Sequence, residues 1–152
     1  MPSVWSSQVI MTSYPTPTDH ERTLLINESI EIMGLKVWGS PATPLLGEAF
    51  GVVSDRDRAM LYSRIPADTD VLVTHGPPYG ILDRAPDSDY HAGCKELLDA
   101  VRRVKPMLHI FGHVHGGYGT FSTHDTLFVN AALPGNGYDL GNPPHVFRLP
   151  RR

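Results

Sequence analysis

Apolar side chains recur along the chain with two different periods, which predict two helices among several short strands. Residues 93–105 are predicted as a helix, because apolar positions recur every three to four residues and Pro106 follows the pattern. A shorter helix is predicted over 55–64, with Ser54 as its N-cap. The longer helix lies between two compact apolar runs, so the pattern indicates a strand–helix–strand unit.

Strands are predicted at 71–74 and 107–111, on either side of the longer helix. Further short strands are predicted at 24–26, 30–33, 35–38, 118–122, 126–130 and 145–149. Two prolines within 39–44 predict a loop there. Residues 1–22, rich in Ser, Thr and Pro, are expected to be a flexible lead-in, and residues 23–152 are expected to form an α/β domain built as a layered sandwich.

Composition narrows the class of protein. The 152 residues carry 13 basic and 16 acidic side chains, and no basic cluster typical of nucleic-acid or membrane-surface binding is visible. One cysteine allows no internal disulfide, and the chain shows neither a secretory leader nor a long apolar run. We therefore expect a cytoplasmic protein that acts on a small molecule.

Two histidine turns carry the candidate chemistry. His75-Gly76 follows the strand at 71–74, and Gly112-His113-Val-His115 follows the strand at 107–111. Loops beyond the carboxyl ends of strands are where open α/β sheets bind ligands, and neutral imidazole is a common ligand of divalent metals. Glycine beside each histidine allows close backbone approach to an ion. A lone His-x-His pair is common and often has no function, but two adjacent turns of this kind favour a metal site.

Longer stretches around these turns resemble a known family. They are Thr74-His-Gly-Pro-Pro-Tyr-Gly-Ile-Leu-Asp83, Gly93-Cys94 with Glu96-Leu-Leu98, His109-Ile-Phe-Gly-His-Val-His115 with Gly117-Tyr-Gly119, and Phe128-Val-Asn-Ala-Ala132. Together they resemble the calcineurin-like metallophosphoesterase superfamily, and within it the small metallophosphoesterase-domain branch with phosphodiesterase activity on cyclic nucleotides. The resemblance covers roughly residues 24–150.

This resemblance implies a site and a reaction. His75 and His113 would bind one metal ion of a dinuclear centre and His115 the other, while Gly76, Gly112 and Asn130 would lie behind the ligands or at the pocket rim. The ions would be Mn, Zn, Fe or Mg, and the reaction would be hydrolysis of a phosphate ester or nucleotide by a metal-activated hydroxide. The implied fold is an α/β/β/α sandwich.

The motifs of the family's earlier half are not found. There is no Asp-x-His after a first strand, no Gly-Asp and no Gly-Asn-His, so the family's catalytic histidine has no counterpart; Asp19-His20 is interpreted as a solvated pair. Neutral imidazoles bring no negative charge to offset repulsion between two ions. We therefore expect an incomplete dinuclear centre in a sandwich that lacks its N-terminal strands and helices. A single zinc ion on three histidines, or substitution by Asp83, Asp87 or Asp89, remains an alternative.

Two hypotheses of function follow. The chain is either the C-terminal portion of a metal-dependent phosphoesterase, with doubtful activity alone, or a non-catalytic module that binds a metal or a protein partner. Missing strands would leave an apolar face and a sheet edge open to self-association.

The remaining candidates are assigned structural roles. Cys94 is expected to have a packing role, Trp38 and Phe50 to pack in the core or a loop, and His109 to lie within the sheet. His91, His124 and His145 are expected at the surface.

Overall fold

The computed structural model describes residues 23–44, 50–84, 89–135 and 141–149. The lead-in predicted at 1–22 lies outside them, as does Asp87. Within these ranges the chain forms an α/β fold with one mixed sheet, as predicted. The elements in chain order are β1 (Glu28–Ile32), β2 (Leu35–Ser40), α1 (Asp55–Ser63), β3 (Val71–Thr74), α2 (Lys95–Val104), β4 (Leu108–Phe111), a 3₁₀ turn (His115–Gly117), β5 (Gly119–Ser122) and β6 (Leu127–Asn130).

The sheet has the strand order β1-β2-β3-β4-β6-β5. Strands β2, β3, β4 and β6 run parallel, and antiparallel β1 and β5 lie at the two edges. The parallel strands therefore all end at one edge, where the histidine turns begin. The sequence predicted this placement, since ligand sites of open α/β sheets lie beyond those strand ends.

Both faces of the sheet are apolar, because strands covered on both sides need apolar residues on both sides. On one face the buried side chains of Trp38, Leu72 and Phe128 pack with Tyr62 of α1 and Leu97 of α2. The other face presents Val37, Val71, Val73, Leu108 and Val129, with Leu25, Phe147 and Leu149 packed against it. These five sheet residues are buried, so the expectation of an exposed apolar face is wrong at these positions.

Three strand predictions need correction. Residues 24–26 precede β1 without joining the sheet, and residues 145–149 are irregular although Phe147 and Leu149 pack on it. Gly39 and Ser40, predicted as loop, complete β2 because the prolines begin only at Pro41. Of the two alternatives for Trp38 and Phe50, Trp38 lies in the core and Phe50 lies exposed in a turn, while Cys94 is packed in the core.

The helix ends follow the predicted signals. Ser54 caps α1 by accepting a hydrogen bond from the Asp57 amide, and Lys105 closes α2 in a left-handed conformation just before Pro106. None of the described helices is long and apolar enough to cross a membrane.

Candidate metal centre

His75 and His113 meet where β3 and β4 end. The two strands are parallel neighbours, and the Gly112 amide donates to the His75 carbonyl at 3.0 Å, which joins the turns. As a result His75 Nε2 lies 3.1 Å from His113 Nδ1, and the ring centroids are 4.8 Å apart. Both residues are half-buried. The structure thus brings two of the three predicted ligands together.

The spacing of these nitrogens fits two ligands of one metal ion. Around a tetrahedral zinc ion with Zn–N bonds of about 2.0–2.1 Å, two ligand nitrogens lie about 3.3 Å apart. The separation of 3.1 Å between His75 and His113 is close to that value. In the structure this contact is a hydrogen bond, so one of the two nitrogens carries a hydrogen that it would have to lose, or move to its other ring nitrogen, for both to bind a single divalent ion. The pair supplies no negative charge for a second ion.

The backbone at His113 is strained. Its φ is 70°, in the left-handed region that residues other than glycine seldom adopt. Such a conformation costs on the order of 1 kcal/mol and persists where the surrounding structure enforces it. This residue lies in the turn that follows β4, where its ring centroid is 4.8 Å from that of His75.

His115, the third predicted ligand, begins the 3₁₀ turn two residues beyond His113. Across 23–44, 50–84, 89–135 and 141–149, no group of three or more His, Cys, Asp or Glu side chains is placed to hold a metal ion. The three-histidine set thus stays a prediction, and the pair of His75 and His113 is what the geometry supplies.

Asn130 ties the two turns together from behind. Its side chain is fully buried, and its Nδ2 donates to the Val114 carbonyl at 2.8 Å and the Leu82 carbonyl at 3.1 Å. Its Oδ1 accepts from the Ala132 amide. One side chain at the end of β6 thereby fixes the segments that follow both histidines.

The glycines required by close packing are not the predicted ones. A Cβ at Gly76 would meet nothing within 4 Å, and one at Gly112 would make only ordinary contacts. A Cβ at Gly117 would lie 2.0 Å from the Leu82 carbonyl oxygen, and one at Gly93 would lie 2.5 Å from that of Pro78. In the sequence, these two positions could have been recognised as tight turns from the Gly116-Gly117 pair and from the glycine just before α2.

Asp83 organises the loop after His75 and is not free to act as a ligand. It is buried, and its Oδ2 accepts from the Gly80 and Gly93 amides at 2.8 and 3.1 Å. Its Oδ1 pairs with His91 Nδ1 at 2.7 Å, so His91 is a half-buried partner rather than the predicted surface residue. Asp89 is exposed and faces Arg84.

The other histidines divide between core and surface. His109 is fully buried in β4, as predicted, and burial lowers its pKa to about 3. His124 is exposed, also as predicted. His145, predicted at the surface, instead stacks on Tyr118 with ring centroids 4.6 Å apart.

Cys94 belongs to a cluster between the helices. Its thiol donates to Glu96 Oε2 at 3.1 Å, and the same oxygen accepts from Arg58 Nε at 3.0 Å. Burial, with the Glu96 contact, raises the pKa of the Cys94 thiol to about 11. This cluster lines an open cleft of about 270 Å³ together with Tyr79 and Lys95.

Sequence comparison supports the resemblance to metallophosphoesterase-domain proteins: the chain is 41% identical over 129 residues to human metallophosphoesterase domain-containing protein 1. It is 38% identical over 130 residues to a UPF0046 protein of Caenorhabditis elegans. The predicted resemblance is therefore confirmed, and the chain is a relative of the metallophosphoesterase-domain proteins over most of its length.

The matches cover much of this chain and a smaller part of each relative. They include 83% and 86% of the chain but only 39% of the human protein and 44% of the nematode protein. A solved structure superposes with a TM-score of 0.54 at 22% identity, over 71% of this chain and 45% of that one, which shows the fold alone. No family model matches the chain.

Proposed function

We propose that the chain carries part of a metal-dependent phosphoesterase site, in which His75 and His113 bind one divalent metal ion. The observation that carries this proposal is the 3.1 Å separation of His75 Nε2 and His113 Nδ1 at the carboxyl edge of the sheet. The naming of the human relative as a metallophosphoesterase domain-containing protein supports the same chemistry.

The described residues have defined tasks in this proposal. His75 and His113 offer neutral nitrogens, and Asn130 keeps the two turns in register. A divalent ion bound there supplies Lewis-acid polarisation of a phosphoryl oxygen. An open cleft of about 290 Å³ lies along the segments that follow the two histidine turns, lined by Leu82, Gly117 and Tyr118 among others, although neither His75 nor His113 lines it.

The charge balance sets an expectation for activity. Two neutral imidazoles do not offset the repulsion between two divalent ions, and no bridging carboxylate is present in the pair. We therefore expect the chain to bind one ion per molecule and to hydrolyse phosphodiesters slowly on its own. The free, buried thiol of Cys94 is in keeping with a cytoplasmic location.

Metal binding by the wild type and two variants tests the proposal. Isothermal titration of the chain with Mn²⁺ or Zn²⁺ should give one ion per chain, and His113→Ala should weaken binding by at least about tenfold. His124→Ala is the matched control, because His124 is exposed and paired with Asp125 away from the turns. Hydrolysis of bis-p-nitrophenyl phosphate, measured on the same samples, should fall in His113→Ala. Equal metal affinity and hydrolysis in the wild type and His113→Ala would contradict the proposed site.

A second candidate is a non-catalytic module that binds a metal or a protein partner. It is favoured by the missing Asp-x-His after a first strand and the missing Gly-Asp and Gly-Asn-His motifs. The same titration separates the two: metal binding that depends on His113, with no manganese-dependent hydrolysis above the buffer rate, supports the module.

A further inference from the structure

His109 is a buried polar residue with a hydrogen bond directed towards the candidate site. It lies in β4 on the helix-covered face, with the Phe111 and Phe128 rings at 5.0 and 5.8 Å between centroids. Its Nε2 lies 2.9 Å from Thr74 Oγ1, and its Nδ1 has no hydrogen-bond partner among the described residues. A buried histidine among aromatic rings stays neutral, and its one polar contact is with the last residue of β3.

The position of the hydrogen on the His109 ring can be inferred from the donors and acceptors around Thr74. The Thr74 hydroxyl donates to the Gly76 carbonyl oxygen at 2.7 Å, and a hydroxyl has only one hydrogen to give. Thr74 Oγ1 must therefore accept from His109, so the imidazole hydrogen lies on Nε2. Nδ1 is then the unprotonated nitrogen, which is the less costly atom to leave without a partner because it is only an acceptor.

The hydrogen bonds of His109 and Thr74 lead to the backbone beside both histidines of the candidate centre. The Gly76 carbonyl that accepts from Thr74 directly follows His75 in the chain. The His75 carbonyl accepts from the Gly112 amide at 3.0 Å, and His113 comes next. The position of the His75 turn is thus coupled, through one hydroxyl, to an imidazole in the core.

We propose that His109 is a positioning residue: as the Nε2–H tautomer it aligns the Thr74 hydroxyl with the Gly76 carbonyl and so fixes the turn that carries His75. Its effect on metal affinity rests on the proposed function, whereas its effect on the turn does not. The two effects are measured separately.

The tautomer is tested directly by long-range ¹H–¹⁵N NMR on the full 152-residue chain. The His109 ring should carry its hydrogen on Nε2 and should keep this state from pH 5 to pH 8. A ring protonated on Nδ1, or one that titrates in this range, would overturn the proposal.

The hydrogen-bond chain is tested by amide exchange at Gly112, which reports how firmly the His75 carbonyl is held. Thr74→Val removes the hydroxyl and His109→Leu removes the donor, and each should speed exchange by about tenfold. Thr74→Ser keeps the hydroxyl and His109→Gln keeps an N–H donor, so both should remain within about threefold of the wild type. If His109→Leu does not fold, the threonine pair decides the outcome alone.

Metal affinity completes the test. The dissociation constant for Mn²⁺ should rise about tenfold in Thr74→Val and little in Thr74→Ser. A wild-type chain without metal binding would refute the proposed function, and Gly112 exchange would still decide the role of His109. Equal Gly112 exchange in Thr74→Val and Thr74→Ser would refute the positioning role even if the metal binds.

Discussion

At the scale of single residues, Cys94 shows that a helix N-terminus does not by itself make a thiol reactive. It is the N-cap residue of α2, where the helix dipole favours the thiolate. Burial and the hydrogen bond to Glu96 act in the opposite direction and raise the pKa of the thiol to about 11. Burial prevails, because α2 presents this thiol to the core and not to solvent.

Cys94 should therefore react slowly with thiol reagents. At pH 8 a thiol of pKa about 11 is about 0.1% thiolate, against roughly a quarter for a free cysteine. Reaction with Ellman's reagent should be at least about a hundredfold slower in the native chain than in 6 M guanidinium. The chain has one cysteine, so the signal is unambiguous, and native and unfolded rates within a few-fold of each other would contradict this assignment.

At the scale of elements, one ion pair joins the two helices. Arg58 of α1 donates from Nε to Glu96 of α2, and also to the Val52 and Val53 carbonyls and to Asp55. The side chains of Arg58 and Glu96 are only 10% and 17% exposed, so water does little to solvate this ion pair. Although burial acts to raise the pKa of Glu96, the bonds from Arg58 and Cys94 keep it below its usual value.

Arg58→Met should lower the free energy of unfolding by about 2 kcal/mol, because it removes the charged partner of Glu96 and leaves the Val52 and Val53 carbonyls without the Arg58 donor. Arg102→Met is the control, since Arg102 is exposed in α2 and should change stability by less than about 0.5 kcal/mol. Urea denaturation measures both.

The same ion pair should make the free energy of unfolding depend on pH. The pKa of Glu96 is lower in the folded chain than in the unfolded one, so the pair contributes above the unfolded value of about 4.3. The stabilisation by the ion pair is lost as the pH falls through the pKa of Glu96 in the folded chain. The difference between wild type and Arg58→Met should accordingly be constant from pH 6 to pH 8 and shrink below pH 4.

The elements also show what sequence patterns can predict. The strand at 71–74 is predicted by its compact apolar run, and the helix near 95–104 by its apolar spacing and the Pro106 that follows it. Both signals are local, so they can be recognised without knowing which distant residues these elements contact. His91 carried no such signal: it is half-buried through its contact with Asp83, which accepts hydrogen bonds from the Gly80 and Gly93 amides, 13 positions apart in the chain. His75 and His113 were predictable as neighbours because parallel strands end at one edge, whereas their 3.1 Å spacing depends on the strained backbone at His113.

At the scale of the whole molecule, the helices that the structure describes pack on one side of the sheet, while irregular segments cover the other side. Leu25, Phe147 and Leu149 pack on the second side, and Tyr118 secures the segment at 141–149 by donating to the Pro143 carbonyl at 2.6 Å. Edge strands β1 and β5 flank this surface. The self-association expected from the sequence is therefore proposed to depend on how well this segment stays in place.

Phe147→Ser should expose part of the second face. We expect a loss of about 1–2 kcal/mol in unfolding free energy, stronger binding of an apolar dye, and a concentration-dependent increase in mass by light scattering. Val146→Ser is the matched control, because the neighbouring Val146 side chain is 89% exposed. The same behaviour in both variants would show that the segment does not cover the face.

The left-handed backbone at His113 lowers the stability of the fold at the residue that is proposed to bind metal. Glycine adopts a φ of 70° without strain, so His113→Gly should be more stable than His113→Ala by about 1 kcal/mol, as measured by urea denaturation. Both variants lack the imidazole that is proposed to bind metal, but only glycine also relieves the backbone. A change to glycine at position 113 would therefore exchange the proposed ligand for a more stable turn.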